Sequence, residues 1–278
     1  MPEGLKELPT SHYLSAADKN ASRPLYEKVF PEDTPRFVDY YYQYKTRDNE
    51  ILAIREEGQI VSMLHLNPYV MIVNGYEIRS NYIVAVATHE EYRHRGYMRM
   101  LLERALRDQA QKKIPFTFLM PASESIYAPF DFVRICPYTR LPVRIEHMDQ
   151  EGQNRYLASR YQMFCKRDAR YMEDQAAQQQ AVKGEEAEEK MPPYMARITD
   201  VCGMLSLVGS QKKQTLYLRI KDPILRENDG YFCWMLSAGK SQAKKLSYVP
   251  EHLDLKLSIG ELASMVFESF RICLSEVV

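Results

Sequence analysis

Arg93, His94, Arg95 and Gly96 stand together between an apolar run and a segment of helical periodicity. A helix that starts there offers several unpaired backbone N–H groups and a partial positive charge, which together make an anion site. Gly96 has no Cβ, so the backbone comes close to a phosphate. Arg93 and Arg95 add charge suited to a diphosphate or a ribose phosphate. A solvated basic turn capping a helix reads the same way, because short glycine motifs match widely by chance.

The elements that must hold this loop are legible on both sides. Residues 81–88 (NYIVAVAT) form a near-continuous apolar run, as expected of a strand in a sheet covered on both faces. Met98, Leu101, Leu102 and Ala105 recur at one-face spacing and predict a helix over 97–112. The run IPFTFLM predicts a strand over 114–120, followed by a short helix near 123–129 and a strand near 132–135. Upstream, residues 18–30 and 34–45 read as two helices, the second capped by Asp33 or Thr34 with Pro35. Then ILAIREEGQIVSMLHLN reads as two apolar runs joined at Glu57-Gly58, and YVMIVNGYEIR as a hairpin turning at Asn74-Gly75. Mixed helices and strands in this order predict an α/β domain over 1–146.

Residues 147–190 read as a helical segment and a linker. The helical part spans 151–182, and residues 174–190 (DQAAQQQAVKGEEAEEK) are polar enough to predict an exposed linker. Residues 191–278 predict a second, smaller α+β domain. MARITDV, TLYLRIKD, GYFCWML and HLDLKLS are strand-like, Asn228-Asp229-Gly230 supplies a hairpin turn, and residues 259–269 form an amphipathic closing helix.

Composition bounds the rest. Of 278 residues, 45% are hydrophobic and 11% aromatic, enough for packed cores. Lys plus Arg equal Asp plus Glu at 37 each, which argues against binding nucleic acid by bulk charge. The N-terminus has no apolar run for a signal peptide, and no run approaches the roughly 20 residues that cross a membrane, so no membrane association is expected. Cys136, Cys165, Cys202, Cys233 and Cys273 are scattered without a CxxC pair, as expected of reduced thiols in a cytoplasmic protein. The six histidines form no ligand-spaced cluster, so no metal is expected.

The segment VATHEEYRHRGYMRMLLERAL resembles the pyrophosphate loop of the GNAT family of N-acetyltransferases, written Arg/Gln-x-x-Gly-x-Gly/Ala. Arg93-His94-Arg95-Gly96-Tyr97-Met98 matches it except at Met98, which replaces a small residue. The resemblance implies a central mixed sheet, splayed at a slot for acetyl-coenzyme A as co-substrate. It implies that the backbone of Val86, Ala87 and Thr88 pairs with the pantetheine arm, one amide holding the thioester carbonyl. PASESIYAPFDFVRI resembles the segment after the next strand, usually Tyr-x-x-Phe/Leu-Gly-Phe, with Asp131 where Gly is common. By that resemblance Tyr127 is the general acid for the departing thiolate, and Ser123 joins the cofactor-binding set.

The full layout resembles the Eis (enhanced intracellular survival) type of GNAT protein. LYLRIKDPILRENDGYFCW and LDLKLSIGELASMVF resemble the sterol carrier protein-like domain that ends such proteins. Only residues 147–190 stand where that type carries a second GNAT-like half, so acceptor identity does not carry over. The resemblance implies an amine acceptor, small-molecule or peptide, and a homo-oligomer. It also implies that the C-terminal carboxylate, here that of Val278, serves as base; His89, Glu90, Glu91 and Glu124 lie near enough in sequence to compete. Two further readings of the same residues stay open: a non-catalytic protein binding acetyl-coenzyme A, and a carrier of apolar ligands.

Overall fold

The computed structural model describes residues 10–184, 191–238 and 241–277. The chain separates into two compact units, residues 1–67 with 83–105, and residues 68–82 with 106–278.

The first unit opens with β1 (Ser11–Tyr13), α1 (Arg23–Val29), α2 (Pro35–Tyr44) and β2 (Glu50–Glu56). Two long strands, β3 (Gln59–Val73) and β4 (Tyr76–Thr88), each contribute to both units, and α3 (Tyr97–Gln111) starts in the first. Thr34 caps α2 by accepting from the Phe37 N–H at 3.3 Å, with Pro35 at the first helical position. α2 buries Phe37, Val38, Tyr40, Tyr41 and Tyr42. β1 pairs antiparallel with β2, and β2 with β3 in the register Leu52↔Leu64. The turn at Glu57 (φ 50°) and Gly58 (φ 81°) is left-handed at both positions, the conformation a tight hairpin needs.

The second unit holds the turn at Asn74 (φ 49°) and Gly75 (φ 82°), which joins β3 to β4 as the sequence predicts. It continues with β5 (Phe116–Leu119), α4 (Glu124–Tyr127), β6 (Val133–Cys136), α5 (Val143–Glu146), α6 (Gln150–Ala158), β7 (Met163–Cys165) and α7 (Ala169–Ala181). Then come β8 (Tyr194–Ile198), α8 (Val201–Ser206), β9 (Gln214–Lys221), β10 (Gly230–Leu236), β11 (Gln242–Leu246), β12 (Leu255–Ser258), α9 (Ile259–Glu268) and β13 (Ile272–Cys273). β4 pairs parallel with β5 at Asn81↔Thr117 and Tyr82↔Phe118. β8 lies between β5 and β6, antiparallel to both. β7 pairs with β3 and with β13. A separate sheet runs in the order β11-β10-β9-β12. α9 is capped by a box in which Ser258 and Glu261 bond each other's backbone N–H, and it packs on β6 and β8. The Phe267 ring meets Phe116 of β5 edge-on at 5.4 Å.

Two local expectations are corrected and a third is refined. The segment read as helical over 151–182 contains a strand, β7, whose residues are all buried. Residues 174–181, read by composition as linker, continue α7, which buries Asp174 and Ala181; a few buried contacts outweigh a polar average. Asn228-Asp229-Gly230 closes a hairpin as expected, since β9 and β10 pair antiparallel, but it does so at the end of a loop over 222–229 and not as a tight turn. There Asn228 is buried and its side chain bonds the Val201 N–H and the Thr199 carbonyl.

Candidate active site

In the first unit, the end of β4 is fixed by its neighbour β3. The Ser62 hydroxyl donates to the Ala87 carbonyl at 3.1 Å and lies 2.8 Å from the Thr88 hydroxyl. The His89 N–H donates to the Val61 carbonyl at 2.8 Å. Three residues earlier the strand is kinked, because Ala85 is left-handed at φ 49°. A side chain with a Cβ pays on the order of 1–2 kcal/mol for that conformation, so the surrounding structure must impose it. The kink breaks the alternation of the strand: Val84, Ala85 and Val86 are all half-buried, with Ala87 buried again.

Beyond Thr88 the chain makes a short 3₁₀ turn at Glu90–Tyr92, capped by His89. The Lys28 ammonium lies 2.7 Å from His89 Nε2 and 3.0 Å from the Glu90 carboxylate. That hydrogen bond holds the Glu90 carboxyl below its usual pKa. Arg93 Nε donates to the Thr88 carbonyl at 3.3 Å, and an Arg95 N–H donates to the Glu91 carbonyl at 2.9 Å. Arg95 also lies over the Tyr92 ring at 4.7 Å. Each arginine therefore ties down the loop while keeping its charge in it. His94 (φ 62°) and Gly96 (φ 81°) are left-handed, and a Cβ built on Gly96 meets no atom within 4 Å. Space stands open above the glycine.

α3 begins at once. Its first internal bond runs from the Met100 N–H to the Gly96 carbonyl at 3.0 Å, so the N–H groups of Tyr97 and Met98 have no acceptor within the helix. Tyr97 is buried, and its hydroxyl donates to Glu56 at 2.7 Å, the main cause of its raised pKa. Leu101, Leu102 and Ala105 are fully buried, which anchors the helix behind its free N-terminus. Val86, Ala87, Thr88 and Arg93 to Met98 thus form one strand–loop–helix corner.

In the second unit, the parallel ladder of β4 with β5 ends at Tyr82↔Phe118. Ser123 is the N-cap of α4 without a side-chain capping bond; its hydroxyl lies 2.9 Å from that of Ser125. Tyr127 ends α4, is 8% exposed, and meets the Phe132 ring edge-on at 5.9 Å. Burial pushes its hydroxyl up to about 12. Asp131 follows in the left-handed conformation at φ 60°. Glycine is the easy residue there, and Asp is among the few others that tolerate it. Burial raises the Asp131 carboxyl pKa.

Of the candidate bases, His89 and Glu90 are engaged with Lys28, Glu124 is ion-paired with Arg134, and Glu91 is exposed. Val278 lies outside the described residues. Its neighbour Val277 accepts from Gln178 Nε2 at 2.7 Å through its carbonyl. Sequence reasoning missed the kink at Ala85 and the Lys28–His89 contact. Alanine carries no left-handed preference, so no local signal announces the first.

Residues 11–135 match the model of the acetyltransferase (GNAT) domain, and residues 201–273 that of the sterol carrier protein domain. No curated protein matches the chain. Solved structures share its fold at low identity. A GCN5-related N-acetyltransferase from Anabaena variabilis is 16% identical, with 92% of this chain and 89% of that one aligned at a TM-score of 0.65. One from Kribbella flavida is 13% identical, over 94% and 89%, at 0.63. Eis1 from Mycobacterium abscessus is 11% identical, over 94% and 89%, at 0.64. The chain therefore carries an acetyltransferase (GNAT) domain over residues 11–135 and a sterol carrier protein domain over residues 201–273.

Proposed function

We propose that this protein is an acetyl-coenzyme A-dependent N-acetyltransferase that transfers acetyl to a primary amine by direct attack. The observation that carries the reading is the corner from Val86 to Met98. A strand end, two left-handed residues, an open space over Gly96 and two helix N–H groups without an internal acceptor suit a diphosphate. The charges of Arg93 and Arg95 lie in the same loop and add to that attraction.

The kink at Ala85 supports the next step. A strand that breaks its own alternation turns backbone groups away from the regular ladder. An extended pantetheine arm takes up such groups as an added strand does. In this reading one N–H among Val86, Ala87 and Thr88 donates to the thioester oxygen and stabilises the charge that develops there. The neutral amine attacks the thioester carbon, the carbon–sulfur bond breaks, and the thiolate takes a proton from Tyr127. The attacking nitrogen gives up its own proton to a base, the Val278 carboxylate or a water. A buried phenol stays protonated at neutral pH, as a proton donor must.

The test is calorimetric titration of the full chain with acetyl-coenzyme A, followed by thiol release against ethanolamine, glucosamine and a lysine-containing peptide. Binding with release on at least one amine is expected. Binding with no release on any amine would leave an acetyl-coenzyme A-binding protein, and no binding would remove the reading altogether.

A further inference from the structure

A buried ion pair joins two parts of the second unit that lie far apart in sequence. Arg167 donates to Glu276 at 2.8 Å, and both side chains are 1% exposed. Two charges taken out of water gain little net stability, and their best-attested use is to fix one arrangement among several. The arrangement fixed here is that of the C-terminal strap. Ile272 and Cys273 pair with β7. The Leu274 carbonyl accepts from the Thr139 N–H at 2.9 Å, the Ser275 hydroxyl accepts from Arg167 at 2.8 Å, and the Val277 carbonyl accepts from Gln178 at 2.7 Å.

Two phenols carry the strap's position outward. The Tyr171 hydroxyl donates to the Glu276 carboxylate at 2.9 Å, and the Tyr194 hydroxyl donates to the Glu276 carbonyl. The Tyr194 ring lies 6.2 Å from that of Tyr82, and Tyr171 reaches Tyr82 through Tyr69, at centroid distances of 6.2 and 6.3 Å. Tyr82 stacks on Phe118 at 5.0 Å with an interplanar angle of 1°. Tyr82 and Phe118 are also the last registered pair of the β4–β5 ladder. Through its carbonyl, Glu276 is thus one phenol, Tyr194, away from the point where β4 leaves β5, and through the carboxylate of the ion pair it is two phenols away, Tyr171 and Tyr69.

We propose that Glu276, clamped by Arg167, is a positioning residue for the acyl transfer: through Tyr171 and Tyr194 it fixes the Tyr82–Phe118 pair that ends the β4–β5 ladder. This rests on the acetyltransferase reading. Neither charge touches the reacting atoms. Release of the strap shifts the stacked pair, and β4 then presents its backbone to the thioester out of line. Burial raises the Tyr82 hydroxyl, with Glu276 and Tyr127 as further contributors, which agrees with both lying near that ring.

The test compares the wild-type chain with Glu276→Gln and with the apolar double variant Arg167→Met/Glu276→Leu. The single variant leaves a buried cation without its partner and serves to show the cost to folding. The double variant keeps volume without charge and is the one on which the proposal stands. Expected are an unchanged circular dichroism spectrum, an unchanged acetyl-coenzyme A affinity by calorimetry, and a kcat for thiol release lower by about 10–100-fold, the size of an ångström-scale misplacement. A merely structural pair would move stability and leave that kcat alone. A folded double variant with wild-type kcat overturns the positioning role while the acetyltransferase reading stands. A wild-type chain that releases no thiol on any amine overturns both.

Discussion

Tyr127 is the residue on which the chemistry of the proposal turns. It is one of twenty tyrosines, and its position after β5 singles it out. Burial pushes its hydroxyl up to about 12, so it holds its proton across the working pH range. Tyr127→Phe keeps the ring and its edge-on contact with Phe132 and removes only the donor. Turnover is expected to fall by about 100-fold or more with acetyl-coenzyme A affinity retained. Full turnover in that variant takes Tyr127 out of the mechanism. A second residue titrates in the first unit. His65 is fully buried, its Nδ1 lies 2.9 Å from the Tyr41 hydroxyl, and burial, with Lys19 adding to it, lowers its pKa to about 3. The unfolded chain binds that proton near the ordinary value of 6.5, so it holds more protons than the folded chain between about 3 and 6.5. Stability from this group is full above that window and falls as pH drops through it, by up to about 1.4 kcal/mol per pH unit. Urea titrations of wild type and His65→Gln between pH 7 and 4 are expected to converge on a shallower pH dependence in the variant. Parallel curves would show that His65 is protonated in the folded chain.

At the scale of elements, legibility followed local chemistry. The turn at Asn74-Gly75 was readable because both residue types accept the left-handed pair the structure shows, and at Glu57-Gly58 the glycine alone gave that signal. α2 and α3 were readable from cap and stripe. What stayed hidden was set by distant partners: the kink at Ala85, the short strand β7 and the buried Asp174 of α7 depend on contacts that no window of sequence contains. The loop before α3 yields its own prediction. Gly96 and Gly58 are both left-handed at φ 81°, and a Cβ on either meets nothing within 4 Å. Valine at either site carries a comparable backbone cost, on the order of 1–2 kcal/mol. Only at Gly96 does it also fill the space assigned to a diphosphate. Gly96→Val is therefore expected to weaken acetyl-coenzyme A by about tenfold or more, one tenfold step per 1.4 kcal/mol, whereas Gly58→Val loses stability alone. Equal affinities by calorimetry would sever the loop from the donor.

At the scale of the molecule, the second unit is assembled across long sequence distances. β8 follows residues 185–190 in the chain yet sits between β5 and β6, and periodicity alone could not announce that. Its Arg197 is fully buried and shows what the placement requires. The guanidinium donates to the Phe130 carbonyl at 2.8 Å, to the Ile198 carbonyl at 2.5 Å, and to Asp222 at 2.8 Å. Asp222 in turn accepts from the N–H groups of Ile224 and Leu225 at 3.0 and 2.9 Å, and from Asn228 at 3.2 Å. One charge pair thus holds the turn that carries Tyr127, the strand β8, and the loop between β9 and β10. Asp222→Ala strands a buried cation and frees three donors, so a loss of about 3–5 kcal/mol is expected. The double variant Arg197→Met/Asp222→Leu removes the stranded cation and should recover that part of the loss, while the three donors stay unpaired in both variants. Urea unfolding of the three proteins decides it. If the single variant cost no more than an ordinary surface change, the three segments would be held by apolar packing, and the pair would be incidental to the fold.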